Sequence, residues 1–447
     1  MKRGAARLMG GLTAAVVMLL GAAQAAAQTN PTYVPLGRAK GALYRPDSGP
    51  APHVAVIKMH RTADNLASNV CTGLSARGIM VLCMNTRFEN NEAQVNFEEM
   101  ALDVKAGVEF LRHQPGITKV LLLGHSGGGP LMSFYQAVAE VGPAFCKDPR
   151  KLTQCGDNLA GLPKADGLIL GDAHPGNPTM IMRGLNPSLL DDTNPPTRRI
   201  DASLDPFDPK NGYNPKGASH YSQAFKTSYF AAQASRMQRL IRKALAIRDA
   251  IRAGKYVYSD DDIFLIPWAG NPGPGATGAA PLYDLDPDVD AINATRRPEK
   301  LLKNDGTVSV QIIKSVAVPI PSLAVMNKTF GAGTKQFTVN SFLSSNAVRA
   351  TDALEAVDDC STNNSTLCAL PKVTVPTLIM GMGGFHLVRD AEHFAEVSGA
   401  ADKDMLIVEG ATHGYTSCVP CEQTPGQYAN ATRNMFDYIA KWVNARY

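Results

Sequence analysis

The fold of this chain is decided by residues 119–128, KVLLLGHSGG. The apolar run Lys119–Leu123 predicts a buried strand, and residues 130–141 are compatible with a helix. Ser126 lies between them in a G-x-S-x-G pattern. A serine held at a tight strand-to-helix turn needs small neighbours, because the backbone is strained and the two segments nearly touch. Ser126 is therefore a candidate nucleophile, and a glycine-rich turn with a solvated serine is the alternative.

The N-terminal segment has the pattern of a secretory signal peptide. Lys2, Arg3 and Arg7 precede the apolar residues 8–23, and small residues at 23–27 fit a cleavage site. A retained membrane anchor is the alternative, but the apolar run is short beside the ~20 residues that a spanning helix requires. We expect residues 1–27 to be removed and the mature protein to be periplasmic or secreted, with no stable membrane insertion.

The charge balance does not favour a nucleic-acid partner. The formal net charge is +4, and loss of the three basic residues of the signal segment leaves +1. Such a balance offers no broad basic surface for phosphate groups. The oligomeric state is left open by the sequence.

Strand-like and helix-like segments alternate along the chain, which is typical of a mostly parallel sheet with helices on both faces. The predicted strands are 53–59, 79–85, 119–123, 167–171, 375–381 and 404–409, and the predicted helices are 69–77, 97–113, 130–141, 221–253 and 427–446. A possible extended stretch covers 307–318. No internal repeat is visible.

The serine turn, its flanking strand and helix, and the distant Gly410-Ala411-Thr412-His413 together resemble an α/β-hydrolase. The resemblance implies a hydrolase core formed by residues 28–174 and 372–447. Residues 175–371, rich in Pro, Gly, Asn and Asp, would then form a large cap inserted after the strand that follows the nucleophile helix. An independent second domain is the alternative, since nearly 200 residues can bury a core of their own.

The resemblance also implies roles for the residues at the matching positions. His413 follows the last predicted strand and would act as the base for Ser126. The backbone N–H of Gly127 would hold the developing oxyanion together with that of Arg61, which stands in a His60-Arg61-Thr62 sequence where the family commonly has His-Gly. The Arg61 side chain would narrow the oxyanion hole that these two N–H groups form and bring a cation near the acyl group. The alternative is that this side chain points to solvent.

In α/β-hydrolases a carboxylate usually completes a catalytic triad with the serine and the histidine. In this sequence that carboxylate is missing from its usual place. The stretch after the penultimate predicted strand, Gly381–His386, contains no carboxylate. Some members of the family place the acid after the preceding strand, where Asp172 stands, so it is the first candidate; a loop cap is its alternative role. Three other carboxylates stay open as the acid, namely Glu409, Asp390 and Glu392. A dyad without an acid would be slower but not necessarily inactive.

Four further residues are expected to line the substrate pocket: His60, His125, Phe385 and His386. No cofactor and no metal are predicted.

In an exported chain the eight cysteines are expected to pair rather than to stay free. Proximity suggests Cys146 with Cys155, Cys360 with Cys368 and Cys418 with Cys421, the last as a structural staple rather than a redox or zinc site. Cys71 and Cys83 could pair or remain buried thiols.

These features together predict an exported serine hydrolase with a Ser-His-acid acyl-enzyme mechanism. A carboxylic ester, either a small molecule or an oligomer, is the expected substrate, because esters are the commonest substrates of similar serine turns. An amidase or peptidase using the same residues is the alternative within the enzymes. A hydrolase-fold protein that has lost catalysis and only binds a ligand is the alternative outside them.

Overall fold

The computed structural model describes residues 31–192, 199–267, 282, 285–286, 293–317 and 334–447. The predicted signal peptide at 1–27 lies outside the described residues, as does much of the proline-rich part of the predicted cap.

Most strands belong to one large sheet, whose ten members run in the order β1-β2-β4-β3-β5-β6-β13-β14-β8-β9. From β4 to β8 in this order every neighbouring pair is parallel, while β1, β2 and β9 are antiparallel additions at the two edges. The sheet strands are β1 Thr32–Leu36, β2 Ala39–Tyr44, β3 Val54–Met59, β4 Met80–Asn85, β5 Lys119–His125, β6 Gly167–Gly171, β8 Glu299–Leu302, β9 Val308–Gln311, β13 Thr377–Met382 and β14 Lys403–Val408.

Helices cover the sheet and join its strands. They are α1 Asn69–Ser75, α2 Met100–Arg112, α3 Gly128–Val141, α4 Asn177–Gly184, α5 Gln223–Arg252, the short turns α6 Val339–Ser341 and α7 Thr366–Ala369, α8 Val388–Val397 and α9 Ala431–Asn444. Serine side chains cap three of them, since Ser68 accepts from the N–H of Val70, Ser222 from that of Phe225 and Ser365 from that of Cys368. The apolar positions spaced along α2 are buried against the sheet, as their period predicts.

The strand order and the helix α3 that follows the central strand β5 are those of an α/β-hydrolase fold, as predicted. The six predicted core strands are confirmed to within two residues at each end. The parallel strands β3, β4, β6 and β13 are buried throughout and β5 is buried except at its two ends, which explains their mostly apolar sequences. Three candidate residues, Ser126, Asp172 and His413, follow the carboxyl ends of β5, β6 and β14.

The inserted segment after β6 contributes to two different parts of the molecule. Its long helix α5 packs in a separate apolar cluster that includes Tyr229, Phe230 and the two-stranded sheet of β7 Ile263–Pro267 and β10 Thr334–Thr338. A second small sheet consists of β11 Arg349–Asp352 and β12 Ala356–Asp358.

The other part of the inserted segment differs from the expectation of a cap. Strands β8 and β9 extend the central sheet, because β8 pairs in parallel with β14 and buries Leu301 and Leu302 against it. Strand β9 lies within the extended stretch predicted at 307–318. The short β8 has too few residues for its two-residue period to be recognised in the sequence.

All eight cysteines pair in the structure. The bridges are Cys71–Cys83, Cys146–Cys155, Cys360–Cys368 and Cys418–Cys421. The last three bridges were predicted from proximity in the sequence. For Cys71 and Cys83 the sequence left pairing or buried thiols open, and the structure shows a bridge that joins α1 to β4. Separately, none of the helices within the described ranges combines the length and the apolar character needed to cross a membrane.

The turn between β5 and α3 depends on backbone contact with β3. A Cβ atom on Gly128 would overlap the carbonyl oxygen of Met59, and one on Gly124 would overlap the carbonyl oxygen of Gly128. Two backbone segments can approach this closely only where no side chain separates them. The two outer glycines of the G-x-S-x-G pattern are therefore required by packing.

We predict that Gly128→Ala lowers the free energy of unfolding by about 1–3 kcal/mol, because the methyl group displaces backbone rather than a flexible side chain. Gly217→Ala is the matched control, since the nearest atom to its Cβ would be the Asn214 side-chain nitrogen at 3.4 Å. Urea unfolding of both variants measures the difference. Equal stabilities would show that the α3 turn can move away from β3 at no cost.

Candidate active site

Ser126 occupies a strained turn at the end of β5. Its φ is 54°, in the left-handed region that non-glycine residues rarely adopt. The carbonyl oxygen of Ser126 accepts from the N–H of Gly129 at 3.0 Å, and more weakly from that of His174 at 3.5 Å. The serine side chain thereby projects at the carboxyl edge of the sheet, beside the N-terminus of α3.

His413 connects Ser126 to a carboxylate. Its Nε2 lies 2.9 Å from Ser126 Oγ, and its Nδ1 lies 2.5 Å from Asp172 Oδ2. A carboxylate accepts only, so Nδ1 carries a proton and Nε2 of the neutral ring can accept the serine proton. The structure thus brings together the three residues that the sequence singled out, although they are separated by up to 287 positions.

Asp172 follows β6 directly and is held by the neighbouring strand. Its φ is 45°, and its side chain is 1% exposed. The backbone N–H of Met382, at the end of β13, donates to Asp172 Oδ1 at 3.0 Å, while the Asp172 N–H donates to the Met380 carbonyl at 2.7 Å. The strand β13 therefore supplies no carboxylate of its own but fixes the one that reaches across from β6.

The three alternative carboxylates have other partners. Glu409 accepts from the N–H of Asn304 at 2.8 Å, Asp390 pairs with Arg183 at 3.3 Å, and Glu392 accepts from the backbone N–H of Arg296. Glu392 also pairs with Arg389. None of these three carboxylates contacts His413 within the described residues.

The His413 ring contacts two other rings. Phe385 stacks on it with centroids 4.4 Å apart and an interplanar angle of 26°, and His125 lies on it at 4.7 Å. His125 Nε2 donates to the His413 carbonyl at 2.7 Å, so this histidine fixes the backbone as well as the ring. Tyr415 packs on His125 at 4.4 Å and donates its hydroxyl to the Gly171 carbonyl.

Arg61 is buried and bound on several sides, so the alternative in which its side chain points to solvent is wrong. Only 1% of the residue is exposed. Its guanidinium pairs with Glu92 and donates to Ser345 Oγ at 3.2 Å. The side-chain amide of Asn177 is assigned the orientation in which both its oxygen and its nitrogen have hydrogen-bond partners. In that orientation the oxygen accepts from Arg61 Nε at 3.1 Å. Burial lowers the Arg61 pKa to about 9, and Glu92 balances the remaining charge.

Two imidazoles approach Gly127, the residue after the candidate nucleophile. A Cβ atom built on Gly127 would lie 3.0 Å from His60 Nε2 and 3.3 Å from His174 Nε2. With the Asn177 amide in the same orientation, its nitrogen donates to His174 Nε2 at 3.2 Å. A Cβ atom at position 127 would be tightly packed against these rings, so they would have to shift by a few tenths of an ångström to accept it.

The imidazoles around the serine are held in their neutral forms. Burial lowers the pKa of His174 to about 3 and that of His386 to about 4, with nearby cationic groups contributing to both. Burial likewise brings the pKa of His60 and of His125 well below the ordinary value. Near pH 7 these four rings therefore act as hydrogen-bonding groups rather than as charges.

The structure places the four predicted pocket residues near Ser126 and His413. Phe385 lies on the His413 ring, His386 packs on Phe385 at 4.0 Å, and His60 faces Gly127. His125 donates its ring N–H to the His413 carbonyl, so it supports the backbone of the His413 loop. Among the described residues, no group of three His, Cys, Asp or Glu side chains is arranged to hold a metal ion.

Several neighbours of the site were not predicted. Glu92, Asn177 and Ser345 surround the Arg61 guanidinium, and His174 and Tyr415 pack beside the candidate triad. The contacts of Glu92 and Ser345 link positions far apart in the chain, so no local pattern could reveal them. Tyr415 stands two positions after His413, and His174 stands two positions after Asp172. This closeness in the sequence is a weak signal that they belong to the site.

The chain has distant similarity to several solved structures. Est1E from Butyrivibrio proteoclasticus is 10% identical, with 93% of this chain and 99% of that chain covered and a TM-score of 0.38. DcsB, solved with a substrate analogue, is 10% identical over 90% of this chain and 94% of that one, with a TM-score of 0.40. The α/β-hydrolase GrgF from a Penicillium species is 10% identical over 84% and 86%, with a TM-score of 0.37.

No protein-family model matches this chain. No curated protein matches it either.

The low pKa of His174 predicts a stability that falls with acidification. The unfolded chain binds a proton at His174 below about pH 6.5, whereas the folded chain does so only near pH 3, so protonation favours unfolding between these values. Between pH 7 and pH 5 this histidine alone should lower the free energy of unfolding by about 2 kcal/mol.

The variant His174→Gln lacks this titration and should lose about 2 kcal/mol less than the wild type over the same interval. Urea unfolding of both proteins at pH 7 and pH 5 gives the difference, and the other titrating groups cancel in the comparison. Identical pH dependence in the two proteins would mean that His174 titrates normally in the folded state.

Proposed function

We propose that this protein is a serine hydrolase that cleaves an ester through an acyl-enzyme, with Ser126 as nucleophile, His413 as base and Asp172 as acid. The observation that carries the proposal is the continuous hydrogen-bonded relay from Ser126 Oγ through His413 to the buried carboxylate of Asp172. A serine hydroxyl is a weak nucleophile until a base takes its proton, and this relay supplies the base and fixes its orientation.

The reaction follows from the positions of these atoms. Ser126 Oγ attacks the acyl carbonyl while His413 Nε2 takes its proton, and the resulting imidazolium is stabilised by Asp172. His413 then donates the proton to the leaving oxygen as the carbon–oxygen bond breaks. A water molecule, deprotonated by the same nitrogen, attacks the acyl-enzyme and releases the acid, restoring Ser126.

The backbone N–H groups of Gly127 and Arg61 are proposed to hold the oxyanion. Within the described residues neither N–H donates to another protein group, so both are available to a ligand. The Arg61 backbone is well fixed, because its carbonyl accepts from Thr86 Oγ1 at 2.7 Å and its guanidinium is bound to Glu92 and Ser345. The Arg61 guanidinium is directed toward Glu92. Arg61 would therefore contribute its backbone N–H to the oxyanion hole, and not its positive charge.

A carboxylic ester is the proposed substrate class, and an amide on the same residues is the alternative. An inactive binding protein is the alternative, on two grounds: the empty acid position after β13 and the presence of Arg61 in the oxyanion loop. The contact between Asp172 and His413 and the pairing of the Arg61 guanidinium with Glu92 support the enzyme instead. The segment 175–371 is proposed to form a cap that shapes the substrate site, with β8 and β9 as its contribution to the central sheet.

Export to the periplasm or beyond is part of the same proposal. Four disulfide bridges are typical of proteins that mature in an oxidising compartment. The signal-peptide pattern at residues 1–27 points the same way.

A fluorophosphonate probe tests nucleophile activation without assuming a natural substrate. We expect labelling at Ser126, found by peptide mapping, and its loss in Ser126→Ala. His413→Ala should slow labelling by several orders of magnitude, because the serine then has no base. Folded wild-type protein that is not labelled would contradict the proposed function and favour a ligand-binding role.

The acid is identified by comparing two isosteric amide variants. Asp172→Asn should lower kcat for p-nitrophenyl acetate by about 10⁴, because the amide favours the wrong His413 tautomer. Glu409→Gln is the control, since its carboxylate accepts from the Asn304 backbone away from His413. If Asp172→Asn folds normally and keeps more than about a tenth of wild-type kcat, the enzyme works as a dyad or uses another acid.

A further inference from the structure

His60 uses one ring nitrogen to organise the loop that follows β3. The backbone N–H groups of Thr62 and Ala63 both donate to His60 Nδ1, at 3.1 and 2.9 Å. A nitrogen that accepts hydrogen bonds carries no proton, so in the neutral ring the proton lies on Nε2. Two backbone donors therefore determine the tautomer of this histidine.

The other ring nitrogen faces the serine turn. His60 Nε2 would lie 3.0 Å from a Cβ atom on Gly127, the residue that directly follows Ser126. No described protein group bonds to this nitrogen, and the residue is half-buried, so its N–H is open to a ligand at the turn. Bound substrate would supply the acceptor that the protein does not.

We propose that the His60 Nε2–H is a side-chain donor to the oxyanion, acting beside the backbone N–H groups of Gly127 and Arg61. This inference rests on the proposed function and adds to it a catalytic residue whose side chain contacts the reacting oxygen. No proton is transferred by His60: the N–H shortens its hydrogen bond as negative charge forms on the acyl oxygen and relaxes when the carbonyl returns.

Neutrality is what makes this histidine suitable for the role. A cationic ring beside Ser126 would repel the His413 imidazolium that forms during attack. Burial and the neighbouring Arg61 and Lys58 charges keep the pKa of His60 well below its ordinary value, so the ring stays a dipole. Because the donor is fixed before substrate arrives, little reorganisation is needed when charge develops.

Two substitutions separate the roles of the two nitrogens. In His60→Asn the amide oxygen can replace Nδ1 as acceptor for Thr62 and Ala63, but no donor reaches the position of Nε2. In His60→Gln the amide nitrogen can replace Nε2, but the Nδ1 acceptor is lost. The oxyanion role therefore predicts more activity in the glutamine variant, and a purely structural role predicts more activity in the asparagine variant.

The measurement is the second-order rate constant for fluorophosphonate labelling of Ser126, with thermal unfolding as the test of folding. We expect His60→Asn to fold with a wild-type midpoint and to label about 10²-fold more slowly, as expected when one oxyanion donor is removed. His60→Gln should label faster than His60→Asn. His113→Asn, an exposed histidine on α2's C-terminal end, is the control and should label at the wild-type rate.

The outcomes divide clearly. A folded His60→Asn that labels within about tenfold of wild type, or that labels as fast as His60→Gln or faster, would overturn the oxyanion role of His60 while leaving the serine mechanism intact. If His60→Gln fails to fold, the loss measured in His60→Asn decides alone. A wild-type protein that is not labelled at Ser126 would instead overturn the proposed function, and this inference with it.

Discussion

The close contact between the first turn of α3 and the end of β3 is the constraint on which the rest of the site depends. Because nothing larger than hydrogen fits between Gly128 and the Met59 carbonyl, the chain must turn sharply after β5, and Ser126 takes up a left-handed backbone conformation. The same contact brings the loop after β3 alongside the serine turn, so that His60 lies beside Gly127. One packing requirement therefore sets the position of the candidate nucleophile and of its surroundings together.

Two neighbouring strands position the candidate acid. The carboxylate of Asp172 comes from the end of β6, yet its second oxygen is held by the backbone of β13, the strand after which α/β-hydrolases usually carry the acid. Parallel neighbours end at the same edge of the sheet, so a side chain from either strand can reach the ring of His413. The left-handed conformation of Asp172 directs its side chain across that gap.

The sequence could predict the strands, the serine turn and His413, because each has a local signature: an unbroken apolar run, a glycine spacing or a loop after a strand. Asp172 could be proposed only as one of four carboxylates, since the choice depends on which oxygen meets His413 in space. The partners of Arg61 had no signature at all. Ser345 is 284 positions away, and its contact exists only because the inserted segment packs against the loop after β3.

The order of the residues along the chain has a consequence for biosynthesis. Ser126 and Asp172 are synthesised well before His413, which is separated from Asp172 by 241 positions. A ribosome must therefore add all of these positions after Asp172 before the proposed base of Ser126 exists. A nascent chain that has not reached residue 413 lacks the relay, so under the proposed mechanism its Ser126 hydroxyl is not activated.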